Sequence, residues 1–209
     1  MAIQIPKIVF FDMDDTILHD MSMAPQCWEQ ACRQFGGGVG GGEVGTLVAA
    51  IESAREWYWS DLERDQKGRL DLFTTRRDIV SLASSNLGID SGETANALAD
   101  TYTTLKEQVI EVIPGAIETP QHLRANGTGL VLITNGHAVP QRAKIERFGL
   151  EPFFDHILIE GEFGAGKPDH RIYQRALELL DATPSEAMMV GDNLKADIEG
   201  CQSLGIYGV

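Results

Sequence analysis

The feature that most restricts the fold is a series of short apolar runs rich in β-branched side chains: Lys7–Phe11, Gly129–Ile133, His156–Ile159, Ala187–Val190 and Gly205–Val209. Each is too short for a stable helix. Each is also apolar at consecutive rather than alternate positions, the pattern of a strand covered on both faces. Helical patterns lie between the later runs: Ile172, Tyr173, Ala176, Leu177 and Leu180 form one stripe, and Val139, Ala143, Ile145 and Phe148 a weaker one. Thr183, Pro184 and Glu186 have capping-box spacing with proline at the first helical position, which predicts a short turn before the fourth run. The expected class is α/β, a doubly wound parallel sheet.

Residues 20–111 follow a different period. Trp28, Ala31, Cys32 and Phe35 make one face, Leu47, Ile51, Ala54, Tyr58 and Leu62 a second, and Leu98, Tyr102, Leu105 and Val109 a third. Helices are expected throughout, so this stretch reads as a helical domain inserted after the first strand, with 1–19 and 112–209 forming the core. Trp57, Tyr58 and Trp59 fan over about 200° of a helix and cannot all face one core; Tyr58 fits the stripe. The run GGGVGGG at 36–42 reads as a flexible connection between helices. It lacks the preceding strand and the following Lys and Ser/Thr of a phosphate-binding P-loop.

Composition narrows the function classes. With 209 residues, 43% hydrophobic and 23% charged, the chain suits a soluble globular protein and excludes collagen-like or disordered readings. A net charge of −14 argues against nucleic acid or an anionic membrane surface as partner. Three cysteines, Cys27, Cys32 and Cys201, form no CxxC pair, so a disulfide framework and a structural zinc site are not expected. No signal peptide or membrane span is evident, and a cytoplasmic location is the expectation. Oligomeric state has no signature in the sequence.

In an open α/β sheet, ligands bind outside the carboxyl ends of the strands. The first run is followed by Asp12, Met13, Asp14, Asp15 and Thr16, the second by Thr134, Asn135 and Gly136, the third by a loop reaching Lys167, and the fourth by Gly191, Asp192 and Asn193 with Asp197 beyond. Carboxylates gathered at one edge without compensation repel one another and lose hydration, which costs several kcal/mol. A divalent cation and a lysine supply the compensation. Oxygen ligands from Asp12 and Asp192, with no His or Cys beside them, match Mg²⁺ rather than zinc.

These same residues carry a family resemblance. DMDDT at 12–16, ITNG at 133–136, GKPD at 166–169 and GDNLKAD at 191–197 resemble, in order and spacing, the four motifs of the haloacid dehalogenase (HAD) superfamily. The helical insert sits where that superfamily's type 1 cap sits. The stretch from Thr134 through Gln141 and Lys144 to Asp197 is most similar to the branch containing N-acylneuraminate 9-phosphatases and YjjG-like pyrimidine 5′-nucleotidases.

The resemblance implies that Asp12 is the nucleophile, forming an aspartyl-phosphate, and that Asp14 is the acid/base. It implies that Thr134, the Asn135 backbone N–H and Lys167 bind the phosphoryl group. Mg²⁺ is then held by Asp12, the Asp14 backbone carbonyl and Asp192, with Asp197 supporting Lys167 or a metal-bound water. The expected activity is Mg²⁺-dependent hydrolysis of a small phosphomonoester, such as N-acylneuraminate 9-phosphate, another sugar phosphate or a nucleoside monophosphate. A phosphomutase of the β-phosphoglucomutase kind and a non-catalytic phospholigand-binding protein are the alternatives. Asp14 disfavours carbon–halogen cleavage, because a halide leaves without a proton and an alkoxide does not.

Overall fold

The computed structural model describes residues 6–35, 43–90 and 92–209; the glycine run at 36–42 lies outside them. In chain order the strands are β1 (Ile8–Phe11), β2 (Leu18–His19), β3 (Glu111–Val112), β4 (Gly129–Thr134), β5 (His156–Ile159), β6 (Ala187–Val190) and β7 (Tyr207–Gly208). Helices α1 (Ala24–Phe35), α2 (Val44–Trp59), α3 (Leu62–Leu70), α4 (Leu72–Asn86) and α5 (Gly92–Val109) lie between β2 and β3. After β3 come α6 (Glu118–Ala125), α7 (Ala138–Arg147), α8 (Glu160–Phe163), α9 (His170–Leu179) and α10 (Gly200–Gln202), with a π-helical turn at Leu194–Glu199. Contacts divide the chain into two compact units, Met1–His19 with Glu111–Val209, and Asp20–Ile110. Among the described residues, no helix is long and apolar enough to cross a membrane.

The first unit is a five-stranded parallel sheet in the order β5-β4-β1-β6-β7. The chain fills one side of β1 with β4 and β5, then crosses to the other side for β6 and β7. β1 therefore stands at the reversal of strand order, where such sheets bind ligands. Ile8 and Phe10 of β1 pack with Val131 and Ile133 of β4, Ile172, Tyr173 and Ala176 of α9, and Met189 of β6. The capping box closes as predicted, with the Thr183 N–H donating to Glu186 Oε2 at 2.9 Å. A separate antiparallel pair, β2 with β3, joins Leu18 to Val112 and His19 to Glu111. Sequence patterning did not reveal this pair, because two residues are too few to show a period.

Two stripes need correction. Of the four apolar residues expected to bury α7, only Ile145 is buried. Val139 is 69% exposed, while the polar Gln141 is 4% exposed. Leu62, expected to continue the α2 face, is 57% exposed. The helix stops at Ser60, and Asp61 caps a new one by accepting the Arg64 N–H at 3.0 Å. The fifth strand is also shorter than expected, since Gly205 has φ 84° and the chain is still turning there.

The second unit packs α1, α2, α4 and α5 around Trp28, Ala31, Cys32, Leu47, Ile51, Ile79, Leu98 and Tyr102. Trp28 and Tyr102 stack with ring centroids 3.6 Å apart. In the aromatic triplet, Tyr58 turns inward toward the Thr75 hydroxyl at 3.3 Å, and Trp57 remains exposed beneath the Arg64 guanidinium, 3.9 Å from the ring centre.

Candidate active site

The site forms where β1, β4 and β6 end. Asp12 directly follows β1, and its N–H still donates to the Val190 carbonyl of β6 at 2.9 Å. The chain then tightens: Ile17 and Leu18 both donate to the Met13 carbonyl at 2.9 Å, and Asp15 adopts φ 61°. Met13 is buried in the apolar interior, while Asp12 and Asp14 turn to groups delivered by other segments.

Lys167 is the hub. Its ammonium lies 2.5 Å from Asp12 Oδ1 and 2.6 Å from Asp197 Oδ1, and its side chain is 2% exposed. Burial works against its charge, but Asp12 and Asp197 outweigh that and hold its pKa above the ordinary value. Asp12 responds the other way. Burial, reinforced by Asp197 and Asp14 and opposed by Lys167, pushes its carboxyl up to about 7. Burial and then Asp197 and Asp15 also raise Asp192. Carboxylate oxygens of Asp12, Asp192 and Asp197 lie within 4.8 Å of one another. One lysine cannot offset this concentration of negative charge, and an all-oxygen cluster of that size fits a hard divalent cation.

Each arm is braced. Asn135 directs its side chain to the backbone of Lys167: its Oδ1 accepts the Lys167 N–H at 2.7 Å and its Nδ2 donates to the Lys167 carbonyl at 2.7 Å. Buried Glu160 accepts the Gly136 N–H at 2.8 Å. Gly166 permits this approach, since a Cβ there would lie 2.4 Å from Glu160 Cδ. Gly191 does the same for Asp197, whose Cγ would be 2.4 Å from an added Cβ. Asp197 Oδ2 accepts the Asn193 N–H at 3.0 Å, and Asn193 Oδ1 caps the following turn by accepting from Lys195 and Ala196 at 3.1 and 2.9 Å. The Tyr173 hydroxyl donates to the Ala196 carbonyl and holds the same turn.

Asp14 is gripped from α7. Lys144 Nζ lies 2.7 Å from Oδ1, and Gln141 Nε2 lies 2.9 Å from Oδ2. The same amide nitrogen reaches Thr134 Oγ1 at 2.6 Å, which is why Gln141, not Val139, faces inward.

Of the sequence candidates, Asp12, Lys167 and Asp197 are in direct contact, and Asp192 completes the oxygen cluster. Asp14 and Thr134 meet through Gln141. Asn135 adds a side-chain role beyond its backbone N–H. Sequence reasoning gave no role to Gln141, Lys144, Glu160, Asn193 or Tyr173. The available signal was two polar residues spaced i, i+3 on the helix that follows Thr134. His137 caps α7 by accepting the Val139 N–H at 3.2 Å.

The chain is similar to several known proteins. A ribulose-1,5-bisphosphate 5-phosphatase of Halopiger xanaduensis is 38% identical over 219 residues, covering 96% of this chain and 82% of that protein. A glyceraldehyde 3-phosphate phosphatase of Pyrococcus furiosus is 28% identical over 210 residues, covering 97% and 79%. Among solved structures, the magnesium-bound HAD hydrolase YfnB of Bacillus subtilis superposes with a TM-score of 0.73 at 22% identity, covering 98% of this chain and 86% of that one. The family model for haloacid dehalogenase-like hydrolases matches residues 6–205, and with its parallel sheet and strand-end aspartates the chain belongs to that family.

Proposed function

We propose that the protein is a Mg²⁺-dependent phosphatase acting on a small phosphorylated metabolite through an aspartyl-phosphate on Asp12. The observation that carries this reading is the buried Asp12–Lys167–Asp197 cluster with a second carboxylate, Asp14, two residues beyond the nucleophile. Both relatives named above are phosphatases of phosphorylated sugars or trioses, and that chemistry is the substrate class proposed here. In this reading the helical unit is the cap, and it sets the choice of ester.

Asp12 Oδ forms a bond to phosphorus as the ester P–O bond breaks, and the Asp14 carboxyl gives its proton to the departing oxygen. Asp14, now ionised, takes a proton from the water that attacks the phosphorylated Asp12. This releases inorganic phosphate and restores both carboxyls. Thr134 and the Asn135 N–H hydrogen-bond the transferring group, and the Lys167 ammonium offsets charge on the nucleophile and the phosphoryl oxygens. Asp12, the Asp14 carbonyl and Asp192 would hold Mg²⁺, with Asp197 supporting Lys167 beside them. The cation supplies charge neutralisation for phosphoryl transfer.

The test is a phosphate-release screen over sugar phosphates, triose phosphates, sialic acid 9-phosphate and nucleoside monophosphates, with and without Mg²⁺. Mg²⁺-dependent release is expected. Isomerisation of a sugar phosphate without release would replace the reading with a phosphomutase, and binding without turnover would replace it with a phospholigand-binding protein.

A further inference from the structure

Helix α7 buries an amide where its sequence offers valine. Gln141 is 4% exposed, and enclosing a primary amide is costly unless its groups find partners. Its two Nε2 hydrogens are shared among three acceptors: Asp14 Oδ2 at 2.9 Å, Thr134 Oγ1 at 2.6 Å and the Asn135 carbonyl at 2.9 Å. Carboxylate and carbonyl oxygens only accept, so the amide nitrogen must be the end that faces them. Because Thr134 Oγ1 accepts from Gln141, its own proton points elsewhere, and the Asn135 carbonyl at 3.4 Å is a long contact for it. That proton is available to a phosphoryl oxygen. Lys144, on the same face one turn along, holds the other Asp14 oxygen at 2.7 Å. Both oxygens of the proposed acid/base are therefore set by side chains of a single helix.

We propose that Gln141 and Lys144 are positioning residues: together they fix the Asp14 carboxyl beside the leaving oxygen, and Gln141 also orients the Thr134 hydroxyl toward the phosphoryl group. The inference rests on the phosphatase reading and adds to it the source of Asp14's orientation. It differs from a helix-docking role in its consequence. A docking contact affects all substrates alike, whereas orientation of the acid matters in proportion to how badly the leaving group needs a proton.

The experiment compares kcat/KM for sn-glycerol 3-phosphate, an alkyl ester, with that for 4-nitrophenyl phosphate, whose leaving group needs no proton, in saturating Mg²⁺. Thermal melting of each variant checks folding. Lys144→Met is expected to lose about tenfold more on the alkyl ester than on the aryl ester, and Lys144→Arg to recover most of the difference. On an Asp14→Asn background, Lys144→Met should add almost nothing, since its effect runs through that carboxyl. Gln141→Ala should impair both esters, because it also releases Thr134, with the alkyl ester again suffering more. Equal loss on both esters for Lys144→Met, or full additivity with Asp14→Asn, would overturn the proposal while leaving the phosphatase reading intact. A wild-type protein that hydrolyses neither ester nor any metabolite in the phosphate-release screen would overturn both.

Discussion

In the α/β unit, Asp12, Lys167 and Asp197 are all nearly or fully buried, Asp12 and Asp197 share the Lys167 ammonium, and a carboxylate oxygen of the exposed Asp192 lies within 4.8 Å of theirs. The helical unit arranges charge differently. Arg33 pairs with Glu29, Arg69 with Asp65 and Arg77 with Asp100 toward its surface, and a buried pair joins Lys106 to Asp20. Pairs matched one to one leave no excess charge to offset. A buried excess of one sign destabilises the apo protein and persists where a ligand or a reaction uses it. The contrast predicts that neutralising Lys106 destabilises the helical unit, whereas neutralising Asp12 stabilises the metal-free α/β unit above neutral pH.

The largest expected effect is catalytic. Asp12→Asn should lower phosphomonoester hydrolysis by about 10⁴-fold or more, read as phosphate release in saturating Mg²⁺, because an amide oxygen does not replace the attacking carboxylate. Next comes the helical unit. Lys106→Met removes the buried ammonium that pairs with Asp20 and should cost about 3–5 kcal/mol in urea unfolding. Asp20→Asn combined with Lys106→Met should cost clearly less than Lys106→Met alone, since both members of the buried pair are then neutral.

A smaller effect has the opposite sign. The folded pKa of Asp12, about 7, lies above its ordinary 3.8, so the folded chain binds that proton more tightly than the unfolded one. The resulting stability is fully present below 3.8 and is lost as pH rises toward 7. Without metal, wild-type Tm should therefore fall between those pH values. Asp12→Asn should flatten the fall and melt higher than wild type at pH 8, while added Mg²⁺ should raise wild type alone. The smallest effect is at the surface of the helical unit: Arg77→Ala removes a partly exposed pair and should change stability by about 0.5 kcal/mol or less.

The two units also differ in how much their sequence reveals. The strands of the sheet were legible because burial on both faces leaves consecutive apolar residues, and the strand ends were legible because aspartates are out of place there. Where a side chain's environment depends on a partner far along the chain, local pattern misleads. Val139 looked like a core residue of α7, but the inward position belongs to Gln141, whose partner Asp14 is 127 residues away. Sequence assigns Asn135 only a backbone N–H toward the phosphoryl group, whereas its side-chain amide clamps the Lys167 backbone 32 residues on. Leu62 fitted the α2 stripe by period, and only the cap at Asp61 shows that the helix has already restarted.

The central claim is that Asp12 carries the phosphoryl group between ester and water. The protein can be quenched in acid during turnover of a phosphomonoester with Mg²⁺, digested with pepsin, and the peptide spanning Asp12 weighed. That peptide should gain one phosphoryl group in the wild type, and the gain should disappear in Asp12→Asn together with turnover. Sustained turnover by Asp12→Asn, or a phosphoryl group found on a different residue, would contradict the account.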